Sequence, residues 1–322
     1  MRVLITGMGG QLGTLVARRV EARADVDTVV GVDLDPPRRR LHRATFHWIR
    51  PGDTDTLDEV VRSLDPTVVL HLGQFEPHAR LVPQRADVAS RRATESLVTA
   101  LADAPSLRRI VVRSGIEVYG RRRGGPICPD ESCPPDPTSQ FGRRLLATEQ
   151  HIEVFARSRR RVAVTTLRFA PIAGYHAPSP LSRLLKLPVV PVATLAEPTF
   201  SLVHAADAAD AVVAALDAKA EGPVNVVAPG VVSAYQAARI GARVPVPVLG
   251  PGWTLAGRLS EFAGAPLPDH VRELIVRGRT ADGGRCAQVL GCAPTRSTRD
   301  IVTEIHEQTV VEFLDIAGGY AA

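Results

Sequence analysis

The sequence predicts an α/β fold, a doubly wound parallel sheet with a small C-terminal α+β lobe, and three observations carry that expectation. Short β-branched runs alternate with helix-period segments from residue 1 onward, the pattern of consecutive βαβ units. The strand-like runs are apolar on both faces, which suits a sheet covered by helices on each side. A glycine-rich turn falls where the first strand gives way to the first helix.

In order, residues 2–6 read as a strand, a helix opens near Gln11, and residues 28–33 read as the second strand. Further strands are expected at 46–49, 67–72, 109–114 and 163–167, with helices at 56–64, 85–102 and 138–157 between them. After residue 170 the rhythm breaks into Pro- and Gly-containing segments, with helix-like stretches at 206–218 and 297–316. The chain therefore divides into residues 1–170, the main sheet and its helices, and 171–322, a smaller lobe interleaved with it. Within that lobe, residues 244–259, with Trp253 amid prolines and leucines, read as a lid over a substrate cleft.

Composition narrows the function. The chain has 322 residues, 45% hydrophobic and 23% charged, which excludes a disordered, collagen-like or disulfide-scaffold protein. Aromatics are only 4%, so aliphatic packing must carry the core. Lysine occurs only at Lys186 and Lys219, so 37 of the 39 basic residues are arginine. The arginine clusters at 38–40, 121–123, 143–144 and 157–161 come without interleaved aromatics or a nucleic-acid-binding signature. They read as solvated faces rather than a nucleic-acid grip. Cys128 and Cys133 are separated by four residues and Cys286 and Cys292 by five, unlike a C-x2-C metal pair, so free thiols and no metal site are expected. With no apolar run of 18 residues, the expectation is a cytoplasmic protein without stable membrane insertion.

The turn itself is Thr6-Gly7-Met8-Gly9-Gly10-Gln11-Leu12-Gly13. Glycines at 7, 10 and 13 permit a tight turn, a close approach to a pyrophosphate and close packing of helix on strand, while the helix N-terminus supplies N–H groups and positive dipole. Asp33 ends the second strand 20 residues after Gly13, where a carboxylate accepts hydrogen bonds from ribose hydroxyls. That pattern points to NAD as cofactor. Arg38, Arg39 and Arg40 keep NADP open, since they either hold a 2′-phosphate or form a solvated loop. Asp53, followed by Thr54, either meets the adenine edge or simply forms a turn.

Taken together, these residues resemble those of an extended short-chain dehydrogenase/reductase of the NAD-dependent epimerase/dehydratase family. The likeness spans nearly the whole chain. Besides the glycine-rich turn it rests on His71-Leu72-Gly73-Gln74, Glu117-Val118-Tyr119-Gly120, Leu167-Arg168, Val203-His204 with Asp207, Asn225-Val226, and Leu290-Gly291 with Pro294. The resemblance implies a Rossmann sheet whose cofactor cleft includes Gly7, Gly9, Gly10, Gln11, Leu12, Gly13, Leu72, Gly73 and Gln74. It also implies a small-molecule ligand of the sugar-nucleotide kind and a homodimer joined through the helices at 87–102 and 138–157.

In that family, hydride transfer is assisted by a Ser or Thr ahead of V-Y-G and by a Tyr-x-x-x-Lys pair, whose lysine lowers the tyrosine pKa. Alignment on Pro137, Gly142 and Glu149 sets Phe141 at the tyrosine position and Leu145 at the lysine position. Gly115 falls at the Ser/Thr position, with Ser114 one place early and expected to face the other side of the strand. None of the tyrosines, at 119, 175, 235 and 320, has a lysine four residues later, so the conventional mechanism is excluded. Glu117 and His78, the latter near Glu76, are the candidate acid–base residues, weighed against polar residues on a solvated loop. The resemblance further implies an Asn near Pro171 and a diphosphate-binding Arg near Phe200; neither is present, and Arg183 and Arg258 are candidates by location alone. Two functions follow: an enzyme with non-standard acid–base groups, or a protein that keeps the dinucleotide as a structural or sensing ligand.

Overall fold

The structure, a computed structural model, describes residues 1–307 apart from 123, 160, 175–178, 195–196 and 219. Arg123, Arg160, Tyr175, Lys219, Tyr320 and the expected helical residues 308–316 lie outside the described residues. The first half runs β1 (Arg2–Thr6), α1 (Gln11–Glu21), β2 (Thr28–Asp33), β3 (Thr45–Trp48), α2 (Thr54–Leu64), β4 (Val68–His71), α3 (Pro83–Ala100), β5 (Arg109–Gly115), α4 (Gln140–Arg157) and β6 (Ala163–Phe169). Then come β7 (Ile172–Ala173), α5 (Pro180–Lys186), β8 (Val189–Ala193), β9 (Thr199–Phe200), β10 (Val203–His204), α6 (Ala205–Asp217) and β11 (Gly222–Val226). The chain continues through β12 (Val232–Ser233), α7 (Ala234–Ile240), β13 (Val244–Val248), α8 (Gly252–Phe262), α9 (Asp269–Arg277), α10 (Gly284–Leu290) and α11 (Thr298–Glu307).

Seven parallel strands form one sheet in the order β11-β6-β5-β4-β1-β2-β3. Alternation along β1 shows why helices must cover both faces. Val3 and Ile5 enter the core beneath α1 and α6, while Leu4 enters the opposite core with Leu57 of α2, Leu97 of α3 and Ile152 of α4. Every other side chain is thus withdrawn from water on each face. The chain winds outward in both directions from β1, whose neighbours are β2 and β4. A crevice opens beyond the carboxyl ends of these strands, where Thr6 lies opposite both Val32 and His71.

One expected strand differs in its exposure, and one strand adds to the expected set. β3 has a solvated side after all: it is the edge strand, and Trp48 remains 72% exposed. The seventh strand, β11, comes from beyond residue 170 and pairs with β6, so the later part of the chain contributes directly to the main sheet. The rest of the lobe has its own core of Leu181, Leu184, Phe200, Val271, Leu274 and Ile301 among others. β13 of the expected lid pairs with β8, and α8 leaves Leu255, Leu259 and Phe262 exposed. No helix among the described residues is long and apolar enough to cross a membrane.

Candidate functional site

The glycine-rich turn is built by close contact. Gly7 takes φ +77°, and a Cβ there would lie 2.7 Å from the Gly73 nitrogen, so only glycine lets the β1 turn meet the segment after β4. A Cβ on Gly13 would fall 2.0 Å from the Gly7 carbonyl, which locks α1 against the turn. Gly9 packs against the Asp35 carbonyl rather than the cleft. Gly10 is the N-cap of α1 and supplies no capping side chain. The opening of α1 therefore faces a cleft lined by Gly10, Gln11, Leu12 and Gly13 on one side and by Leu72, Gly73 and Gln74 on the other.

At the end of β2, the buried carboxylate of Asp33 is held by a residue the sequence reading missed. Arg80 donates to Asp33 Oδ1 at 3.0 Å and Oδ2 at 3.1 Å, and its Nε donates to Asp35 at 3.0 Å. The Leu34 amide adds a 2.6 Å bond to Asp33. Burial alone would lower the Arg80 pKa, but its bonds and charge pairing with the two aspartates outweigh that and raise it. Arg38 stands on the rim of the same cleft. Asp53 is the N-cap of α2, accepting from Thr56 N at 3.2 Å, with Thr54 opening the helix; neither lines the hollow formed by Asp33, Ile49, Arg50 and Pro51.

A second hollow adjoins the first, and Glu76, Arg113 and Ile172 line both. Phe141 and Leu145, one turn apart on α4, form part of its wall. The Glu117 carboxylate fills the space beside Gly115: a Cβ at 115 would lie 2.2 Å from Glu117 Oε2. Glu117 is 4% exposed and pairs with Arg279 at 3.7 Å, while Arg279 also donates to Glu273 at 2.6 Å. Arg113 donates to the Gln74 carbonyl at 3.1 Å, and burial lowers its pKa.

His270 enters this hollow from α9. The Asp269 carboxylate accepts from the Gln140 amide at 2.7 Å, tying the start of α9 to the start of α4. That contact brings the imidazole onto the Phe141 ring, with centroids 4.8 Å apart, and sets Nε2 3.2 Å from Glu76 Oε1. Nδ1 is 3.7 Å from Asp269 Oδ1, too far to be a hydrogen bond, and has no hydrogen-bond partner. Burial favours the neutral ring, but the carboxylates of Asp269, Glu76 and Glu117 prevail and raise the pKa to about 9. His270 is therefore an imidazolium at neutral pH.

Ser114 also borders the hollow, but its hydroxyl is taken up by α4, donating to Glu149 Oε1 at 2.5 Å. Arg168 holds the same carboxylate at 2.7 and 3.0 Å and donates to the Tyr119 hydroxyl at 3.0 Å, which in turn donates to Asn225 Oδ1 at 2.8 Å. The phenol is thus fully engaged as scaffold. Fully buried His71, bonded to Thr6 at 2.7 Å and Thr94 at 3.0 Å, is held neutral by burial, its pKa lowered to about 4.

Of the two candidate acid–base residues, Glu117 lies inside the second hollow and His78 does not line it. His78 sits on the loop after β4 at φ +62°, its amide bonded to the Leu81 carbonyl and its own carbonyl taken by Arg183. Burial and the positive Arg183 and His270 lower its pKa against the pull of Glu261 on α8. Arg183 is thereby engaged with the loop backbone. Arg279, whose backbone bridges to Phe200, sits near where the resemblance implied a diphosphate-binding arginine, but its side chain turns to Glu117 and Glu273. Arg113 had a signal in the sequence, a charge inside a buried strand; Arg80, His270 and Arg279 had none. The four cysteines are free thiols, and no cluster of three His, Cys, Asp or Glu poised for a metal occurs among the described residues.

Fold and cleft define a doubly wound α/β protein with a glycine-lined cleft at the sheet's switch point. The sequence profile of the NAD dependent epimerase/dehydratase family matches residues 3–228, and the chain belongs to that family. It is 30% identical over 309 residues to an uncharacterized protein, Rv0501, of Mycobacterium tuberculosis, covering 92% of this chain and 81% of the relative. Among solved structures it is similar to UDP-glucuronic acid 4-epimerase from Bacillus cereus in complex with UDP-glucuronic acid and NAD, at 19% identity and TM-score 0.74, covering 98% and 100% of the two chains. UDP-glucose 4-epimerase from Thermotoga maritima, with UDP-glucose, matches at 20% identity and TM-score 0.70, covering 98% and 99%.

Proposed function

We propose that this protein binds NAD(H) in the cleft over the glycine-rich turn. In the adjoining hollow it acts on a polar ligand of the sugar-nucleotide kind, using acid–base groups other than a Tyr-x-x-x-Lys pair. The observation that carries this reading is the Glu117 carboxylate beside Gly115, in a hollow that shares Glu76 and Arg113 with the cofactor cleft. The glycine cradle fits a dinucleotide: Gly10 leaves the α1 opening uncapped for a diphosphate, Asp33 serves the ribose, and Leu72, Gly73 and Gln74 close the other side. Bound NAD would supply reversible hydride acceptance. Around the substrate, Glu117 accepts a proton or a hydroxyl hydrogen bond and His270 donates, while His78 stands outside the hollow on the loop after β4. Asp53 and Thr54 are taken up in the start of α2, so Ile49, Arg50 and Pro51 serve the adenine side in their place, NADP being the alternative cofactor.

In this reading residues 1–170 form the cofactor part and 171–322 the substrate part, the chain works in the cytoplasm, and two copies pair through α3 and α4. The exposed Val88 of α3 and Val154 of α4 support that pairing, which light scattering would test. Purified protein mixed with NAD+ and UDP-glucose or UDP-glucuronic acid, followed at 340 nm and by NMR of the product sugar, tests the activity. Turnover that Glu117→Gln removes supports it. A second reading, dinucleotide binding without hydride chemistry, is favoured by the inert Phe141 and Leu145 on α4. Tight NAD binding with no turnover on any sugar nucleotide would select it.

A further inference from the structure

We propose that Arg80 is the diphosphate-binding residue of the cleft, and that in the free protein it rests on Asp33, so that ribose and diphosphate must arrive together to take the two halves of that pair. The inference rests on the cleft being a dinucleotide site. Asp33 has a fully buried side chain, yet both its oxygens are already engaged by the Arg80 guanidinium, at 3.0 and 3.1 Å. A ribose hydroxyl alone would exchange two charge-assisted bonds for weaker ones between a neutral donor and a carboxylate, and would leave Arg80 with Asp35 alone. A bare nucleoside therefore gains little from Asp33.

Arg80 is placed to make the exchange. Its side chain is 20% exposed and lies over the Phe75 ring at 5.5 Å. Nη1 comes within 3.7 Å of where a Cβ on Gly10 would stand, at the opening of α1. A diphosphate at that opening meets the helix N-terminus and the guanidinium together. Arg38 lines the same cleft, and its charge works against that of Arg80. An anion between them relieves the repulsion. Once Arg80 turns to the diphosphate, the Asp33 oxygens are released to the ribose hydroxyls, and each half of the ligand makes room for the other.

The test is a comparison of adenosine, ADP-ribose and NAD by titration calorimetry against the wild type, Arg80→Gln and Arg80→Lys, with thermal melts to show each variant folded. For Arg80→Gln the two ligand classes should move in opposite directions: adenosine binds several-fold tighter, while ADP-ribose and NAD bind about tenfold weaker, the scale of one lost charged bond. Arg80→Lys, which keeps the charge without the fork, should fall between and serves if Arg80→Gln does not fold. Tightening of all three ligands would make Arg80 a mere obstacle, and unchanged or uniformly weaker binding would make it scaffold; each overturns the proposal. Dinucleotide that binds neither the wild type nor any variant would instead bring down the reading of the cleft itself.

Discussion

The Glu117 carboxylate occupies the place a side chain at Gly115 would take: a Cβ at position 115 would lie 2.2 Å from Glu117 Oε2 and 3.1 Å from Leu145 Cδ1. The carboxylate occupies the space where the family resemblance implies a serine or threonine side chain. The Glu117 side chain reaches back over position 115, with Arg279 balancing the charge at 3.7 Å.

This steric exchange predicts strong coupling between the two positions. Gly115→Ser overfills the hollow and should cost about 1–3 kcal/mol, read from urea denaturation midpoints. Adding Glu117→Ala vacates the space but strands Arg279, so the double variant should be more stable than the sum of the single changes, by about 0.5–3 kcal/mol. Strict additivity would show that Glu117 does not fill the space beside Gly115.

His270 makes stability depend on pH in a defined direction. Its pKa is raised to about 9 in the fold, by the carboxylates of Asp269, Glu76 and Glu117 prevailing over burial. The folded protein therefore binds this proton more tightly than the unfolded chain. The resulting stabilisation is fully present below about pH 6.5 and is lost as pH rises through 9, with a size on the order of 3 kcal/mol. Denaturant unfolding at closely spaced pH values would show this decline, and His270→Gln should flatten it. An equal slope in both proteins would locate the titration elsewhere.

Local pattern made the sheet and its cradle legible in the sequence. Alternation of Val3, Leu4 and Ile5 sends side chains to opposite cores, and glycines at 7 and 13 mark contacts that no side chain tolerates. The partners of the functional residues were hidden because they come from far along the chain. Arg80 reaches Asp33 across 47 residues, and His270 reaches Glu76 across 194, placed only when Asp269 docks on Gln140. Asp53 shows the converse: a local cue compatible with either ligand or turn, which the structure spends on capping α2. Likewise β3 has the composition of a buried strand, but its place at the sheet edge exposes Trp48.

Asp33 should prove a ligand residue rather than a structural one. Asp33→Ala leaves Arg80 with Asp35 as its remaining partner, so circular dichroism and melting should change little. NAD affinity should fall about tenfold or more by titration calorimetry, on the scale of one hydrogen bond to a charged group. Unchanged affinity would refute the ribose assignment.

The buried pair of Arg168 and Glu149 offers a sharper stability prediction, because its worth depends on which partner is removed. Arg168 and Glu149 are 5% and 8% exposed, joined at 2.7 and 3.0 Å, with Ser114 and Tyr119 completing the network. Arg168→Met strands the Glu149 carboxylate with one hydroxyl donor, and Glu149→Leu strands the guanidinium on Tyr119. Each single change should cost about 3–5 kcal/mol in urea unfolding, since an uncompensated buried charge remains. The double variant removes both charges and keeps apolar volume, so most of that loss should return. Because Glu149 lies on α4 one turn beyond Leu145, the single variants should also loosen the wall of the second hollow, read as faster amide hydrogen exchange across α4. Single variants as stable as the double would show that the pair is solvated in the native state.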